Sequence, residues 1–274
     1  MGGGIAQVVA LGGYETLLYD AFEGAAEKGA ERLREALAKG AARGRWSEAD
    51  AAAAGERVRA VADLADLAGC ELVIEAAPED LELKRKLFAE VAAACGPETV
   101  LATNTSSLRV SEIDAGVPNP ERVVGMHFFN PPALMKLVEG VAAERSAEAA
   151  LAATTEVALA MGKAPIRAKD SPGFVANRLA RPFSLESLRI LGDGVADAAP
   201  IARVVRLGSG FRMGPFELLD LIGLDVNLTI ARSFFEQGDE PVRWRPSPIQ
   251  ERLVAEGKLG RKSGDGYYAY GEGI

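Results

Sequence analysis

The sequence predicts an α/β domain built on a parallel sheet, followed by a smaller all-α domain. Three observations carry this. Short apolar runs of strand length alternate with helix-length stretches up to about residue 169, the pattern of strands joined by crossover helices. After Asp170-Ser171-Pro172-Gly173 only helical periodicity remains. At the start, Gly2, Gly3 and Gly4 open a helix that leads to a strand ending in Asp20. The expected domains are therefore residues 1–169 and 170–274.

Taken in order, residues 1–13 read as a glycine-rich turn entering an apolar helix (Ile5, Ala6, Val8, Val9, Leu11), which Gly12 and Gly13 end. Residues 15–20 form a short apolar run, a buried parallel strand. Residues 25–43 form a charged amphipathic helix. Strands are expected at 58–61, 72–76, 100–104, 122–128, 136–141 and 164–168, with a helix at 81–94. Asp170 or Ser171 is placed to cap the helix that follows. In the second domain helices are expected at 174–191, 199–206 and 215–221. Gly208-Ser209-Gly210 and Gly214 mimic a second glycine motif, but Pro215 and helical flanks make a helix–turn–helix joint the better reading.

Composition narrows the function. A net charge of −8 argues against non-specific nucleic-acid binding, which needs a broad basic face. No apolar run is long enough to span a membrane. Two cysteines, Cys70 and Cys95, read as a reduced cytoplasmic protein, and one histidine leaves no zinc site.

The glycine trio, the helix and the acid together match a dinucleotide site of Rossmann-like type. Glycines let the backbone approach pyrophosphate at a helix amino terminus, and an acid about 20 residues on takes the ribose hydroxyls. Gly2 and Gly4 are the phosphate-side candidates and Asp20 the ribose acceptor. A carboxylate there repels a 2′-phosphate, so NAD is preferred to NADP. A fingerprint of this kind must follow a first strand, yet only Met1 precedes Gly2. That strand belongs between those expected at 15–20 and 72–76, and without it two central strands lose a row of ladder bonds. The natural protein is therefore expected to begin upstream.

His127 is the only histidine. A lone histidine is often a satisfied structural residue, but this one stands at the carboxyl end of an expected strand, where ligands of open α/β sheets bind. Glu139, on the next expected strand, is either its carboxylate partner or a surface acid. Ser106 lies in a polar cluster after a strand end and suits helix capping equally. Asn177, one turn into the first helix of the second domain, is mildly unfavourable there and invites a specific role.

Residues 103–107 (Thr-Asn-Thr-Ser-Ser), 125–131 (Gly-Met-His-Phe-Phe-Asn-Pro), 135–139 (Met-Lys-Leu-Val-Glu) and 170–174 with Asn177-Arg178 form a specific series. So do 213–220 (Met-Gly-Pro-Phe-Glu-Leu-Leu-Asp) and 260–264 (Gly-Arg-Lys-Ser-Gly). In this order they resemble the 3-hydroxyacyl-CoA dehydrogenases of fatty-acid β-oxidation and the bacterial 3-hydroxybutyryl-CoA dehydrogenases. Met1-Gly2-x-Gly4-Ile5-Ala6-Gln7 matches the end of that family's Gly-x-Gly-x-x-Gly segment, whose strand and first two glycines have no counterpart here.

The resemblance implies oxidation of a secondary alcohol by NAD, with His127 as general acid/base paired with Glu139, and Ser106 and Asn177 binding the reacting oxygen. It matches Glu79, Lys84, Ser106, Asn130 and Lys262 to cofactor contacts; for Glu79 and Lys84, exposed charge at a helix start is the alternative. Lys39, Arg43 and Arg45 are candidates for the CoA phosphates, or simply a solvated helix end. It also implies a homodimer formed through the helical domain. Two rival functions are a dehydrogenase of free 3-hydroxy acids, which would need a cationic clamp for the carboxylate, and a non-catalytic relative that keeps the fold.

Overall fold

The computed structural model describes residues 1–237 and 241–271, in two compact units, Met1–Phe174 and Val175–Ile274. The first unit opens with helix α1 (Gly2–Leu11). Gly13, at φ +96°, makes the turn into strand β1 (Thr16–Tyr19). Helices α2 (Ala25–Ala42) and α3 (Glu48–Arg57) follow, then β2 (Val58–Val61), which pairs parallel with β1 in the register Thr16↔Val58. After these come β3 (Leu72–Glu75), α4 (Leu81–Ala94), β4 (Val100–Thr103), α5 (Val110–Ile113), β5 (Val123–Phe128), β6 (Leu137–Ala142), α6 (Glu148–Ala160) and β7 (Ala164–Lys169).

In the first unit three helices, α3, α6 and the short α5, went unread in the sequence. Both α3 and α6 are alanine-rich and offer few large apolar residues from which to read a period. A signal existed for α3: Ser47 accepts from the Asp50 N–H and Asp50 reaches back to Ser47, a capping box. The turn before it is fixed by the Trp46 indole, which donates to Leu37 O at 2.8 Å. Asp170 does not cap the helix after it. Its two carboxylate oxygens take the N–H groups of Val110 and Ser111, capping α5 from a distant part of the chain. The cap site of a helix accepts any nearby carboxylate, and tertiary proximity decided it.

The sheet departs from the expectation in two ways. Strands β3-β4-β5-β6-β7 form one sheet and β1-β2 another, with no pairing between β1 and β3 among the described residues. The break falls where the sequence reading placed an absent strand. In addition, β5 and β6 run antiparallel, in the register His127↔Glu139; the other pairings are parallel. The stretch 129–136 between them is too short for a crossover, and only an antiparallel partner can be reached that way.

Both faces of the larger sheet are covered. Leu101, Val123 and Val141 pack on one side with Phe88 and Val91 of α4 and with Ile113 of α5. Ala102, Val124, Met126 and Val138 pack on the other with Ile5 and Val8 of α1 and with Leu151 of α6. Ala6 and Ala10 on the other flank of α1 enter a third core with Leu33 and Leu37 of α2 and Ala54 of α3. The smaller sheet is held to the larger by side chains: Leu17, Tyr19 and Val61 pack against the same cluster as Val73.

The second unit is helical: α7 (Ala176–Gly192), α8 (Ala198–Ser209), α9 (Pro215–Ile222), α10 (Leu224–Gln237), α11 (Pro241–Trp244) and α12 (Pro248–Ala255). Its core joins Leu185, Leu188, Ile201, Phe216, Leu219, Phe234 and Trp244. Gly210, at φ 70°, ends α8 and Gly214 begins α9, the helix–turn–helix expected from the glycine spacing. Asp220, 1% exposed, ties down the segment after α12. It accepts from the N–H groups of Tyr267 and Tyr268 at 3.0 Å and from the Tyr270 hydroxyl at 2.9 Å.

Candidate active site

The polar groups of the first unit gather at the carboxyl ends of β3, β4 and β5. Along β5, Val123 and Gly125 face the α4–α5 side, so His127 does too. In an antiparallel pair, directly opposed residues project to the same face. The register therefore delivers Glu139 beside His127, and Nδ1 lies 2.7 Å from Glu139 Oε2. The two side chains are 5% and 0% exposed. Phe129 and Phe174 flank the imidazole, with ring centroids 4.6 and 5.7 Å away. A carboxylate at Nδ1 holds the ring proton there, which leaves the lone pair of the neutral ring on Nε2. A ring so oriented can take a proton at Nε2 and have the resulting imidazolium stabilised from behind.

Ser106 lies in the turn after β4, and that turn is gathered on one carboxylate. Glu79 Oε1 accepts from the Thr105 hydroxyl at 2.6 Å, the Ser106 N–H at 2.8 Å, the Ser107 N–H at 2.9 Å and the Ser107 hydroxyl at 3.0 Å. Partial burial would push the Glu79 carboxyl up, but the Thr105 hydroxyl, the Lys84 charge and the two backbone N–H groups outweigh it and hold its pKa below the ordinary carboxylate value. Lys84 is no exposed charge at a helix start. It is 1% exposed, with Nζ 2.6 Å from Glu75 Oε1, 3.2 Å from Ala77 O and 3.6 Å from Glu79 Oε2. Glu75, 7% exposed at the end of β3, also accepts from the Thr103 hydroxyl at 2.7 Å. Sequence reasoning missed Glu75 and Thr103; the available signal was an acid closing the apolar run Leu-Val-Ile.

The loop after β5 is braced from both sides. Asn104 Oδ1 accepts the Phe128 N–H at 2.8 Å, and the Lys163 ammonium donates to Met135 O at 2.9 Å. Asn130 sits exposed in this loop. Gly4, in the first turn of α1, packs against it: a Cβ there would come 3.0 Å from Pro132 Cδ. Gly2 and Gly3 occupy the same turn, and a Cβ on Gly3 would meet nothing within 4 Å. The helix start is thus open at Gly3, where no side chain stands in the way of an anionic diphosphate. Asp20 follows β1 and is exposed, and one of its oxygens accepts the Phe22 N–H at 3.0 Å.

The remaining expected residues lie on other elements. Lys39 is exposed on α2, 3.3 Å from Glu35, and Arg43 and Arg45 are exposed just beyond it. They lie near a groove between α2 and α3 lined largely by alanine. In the second unit, Asn177 lies in the first turn of α7, and Lys262 grips both oxygens of Asp225 at 2.6 Å.

A carboxylate-backed imidazole at the ligand-binding edge of a nucleotide-type α/β sheet is the equipment of a nicotinamide-dependent dehydrogenase, and the fold places the first unit in that class. The chain belongs to the 3-hydroxyacyl-CoA dehydrogenase family. The family's NAD-binding domain matches residues 1–171 and its C-terminal domain residues 173–270. It is 43% identical over 268 residues to the 3-hydroxyadipyl-CoA dehydrogenase of Escherichia coli K12, covering 98% of this chain and 56% of that protein. It is 37% identical over 270 residues to a probable 3-hydroxybutyryl-CoA dehydrogenase of Deinococcus radiodurans, covering 98% and 96% of the two chains. The crystal structure of (S)-3-hydroxybutyryl-CoA dehydrogenase from Ralstonia eutropha superposes with a TM-score of 0.95 at 35% identity, covering 99% of this chain and 96% of that one.

Proposed function

We propose that this chain interconverts (S)-3-hydroxyacyl-CoA and 3-ketoacyl-CoA with NAD(H). The observation that carries the reading is the His127–Glu139 pair, 2.7 Å apart and almost wholly enclosed. In the oxidative direction the substrate hydroxyl gives its proton to His127 Nε2, and Glu139 steadies the charge that appears on the ring. NAD, when bound, supplies the acceptor for the hydride. Gly2 and Gly4 form the helix start that takes its pyrophosphate, Asp20 takes the ribose hydroxyls, and Glu79, Lys84, Asn130 and Lys262 serve the cofactor directly or through the groups they hold. Ser106 and Asn177 donate to the reacting oxygen.

Lys39, Arg43 and Arg45, beside an apolar groove, suit the phosphates and adenine of CoA. The helical unit exposes Val204 and Leu207 on α8, Leu221 and Ile222 on α9, and Val226 on α10, an apolar area that favours a homodimer. The free thiols of Cys70 and Cys95 suit the reducing cytoplasm, and no helix among the described residues is long and apolar enough to cross a membrane.

The test is NADH oxidation with acetoacetyl-CoA set against free acetoacetate. Turnover of the thioester alone supports the reading, and turnover of the free acid alone overturns it. His127→Gln should keep NADH affinity and lose about a hundredfold or more in turnover.

A further inference from the structure

Glu75 lies outside every role assigned above, yet it anchors the buried polar network that leads to the turn at 105–107. It shares a sheet face with Thr103, its cross-strand partner in β4. One of its oxygens takes the Thr103 hydroxyl; the other takes the Lys84 ammonium and the Ala77 N–H. Lys84 is thus held between two carboxylates, at 2.6 Å from Glu75 and 3.6 Å from Glu79. The unequal distances matter. Lys84 Nζ faces Glu79 Oε2, while Glu79 Oε1 carries the four donors of residues 105–107, so the tighter hold on Glu75 keeps the ammonium from drawing the Glu79 carboxylate off the turn.

We propose that Glu75 is a positioning residue for the turn that carries Ser106, acting through Lys84 and Glu79. Its negative charge keeps the Lys84 ammonium on the β3 side, so that Glu79 spends its acceptor capacity on the turn. Without that charge the ammonium closes on Glu79 Oε2 and draws the carboxylate away from the Thr105 hydroxyl and the two serine N–H groups. The turn then loosens while the strands beneath it keep their pairing. The link to turnover rests on the function proposed above; the link to the geometry of the turn does not.

Glu75→Gln keeps the shape and removes the charge. Amide hydrogen exchange across residues 105–107, read on the full chain by peptide mass spectrometry, should accelerate about tenfold or more, with exchange in α2 and β5 unchanged. With acetoacetyl-CoA and NADH, kcat should fall about tenfold or more while NADH affinity moves less than about threefold. The double variant Glu75→Gln with Lys84→Met removes the competing ammonium as well and should keep exchange at 105–107 within about threefold of wild type; acceleration there overturns the proposal, and this variant decides the matter should Glu75→Gln alone fail to fold. Unchanged exchange at 105–107 in folded Glu75→Gln also overturns the proposal. So does acceleration spread evenly over the whole unit, the mark of a merely structural residue. A wild-type protein with no turnover on any ketoacyl-CoA would remove the proposed function and leave the exchange result to judge Glu75 by itself.

Discussion

Replacing Glu139 by glutamine asks the sharpest question of the His127 pair. The carboxylate is 0% exposed and 2.7 Å from Nδ1, so the exchange of one oxygen for an amide leaves volume and packing alone. What it removes is the charge that favours imidazolium. A hydrogen bond to a charged group contributes roughly 1.5–3 kcal/mol, and at about 1.4 kcal/mol per decade that predicts a loss of roughly 10- to 150-fold in kcat. The amide also lets Nδ1 lose its proton, which puts a fraction of the rings in the wrong tautomer and pushes the loss toward the upper end. Stopped-flow NADH absorbance with acetoacetyl-CoA is the assay, because it reads turnover and cofactor binding separately. NADH affinity and the denaturation midpoint should hardly change. A variant with wild-type kcat would refute the idea that Glu139 supports the imidazole in turnover.

Three further outcomes are expected. Gly40→Ala would place a Cβ 1.9 Å from the Trp46 ring, which must swing out and surrender its bond to Leu37 O; a red-shifted tryptophan emission and a loss of about 1–3 kcal/mol in denaturation are expected. Asp220→Asn weakens three bonds to a buried acceptor, Tyr267 N–H, Tyr268 N–H and the Tyr270 hydroxyl, and should cost about 2–4 kcal/mol, with fast exchange appearing beyond α12. Acid should release the turn at 105–107 late. The Glu79 carboxyl is held below its ordinary value, so its contribution is present above the unfolded pKa of about 4.3 and is lost as pH falls through the lower folded one. Glu79→Gln should flatten that part of the stability–pH curve, and an unaltered acid limb would count against the account.

Much of this molecule was legible before its coordinates. The strands at Val58–Val61 and the helix at Leu81–Ala94 fall where the apolar runs placed them, because large side chains mark the period. Alanine marks it poorly, and α3 and α6 passed unseen for that reason. The polarity of β6 also escaped, although the short prolyl stretch at 131–132 argued against any crossover. At the site, the pairing of His127 with Glu139 could be expected, but not that they would stand directly opposite each other, since register is a property of two strands together. Glu75, and the burial of Lys84 beside it, were invisible for a different reason. A charged residue in sequence is read as solvated, and its interment becomes apparent only when a counter-ion is found enclosed with it.

The divided sheet has a mechanical consequence. Backbone ladders lock neighbouring strands at a fixed spacing, whereas the interlocking of Leu17, Tyr19 and Val61 with Val73 and its neighbours is free of bond directions and yields by slipping. The span from Asp20 to His127 is therefore sprung, not clamped. A rod-like molecule touching both ends would act as a tie-bar, stiffening the scaffold that grips it.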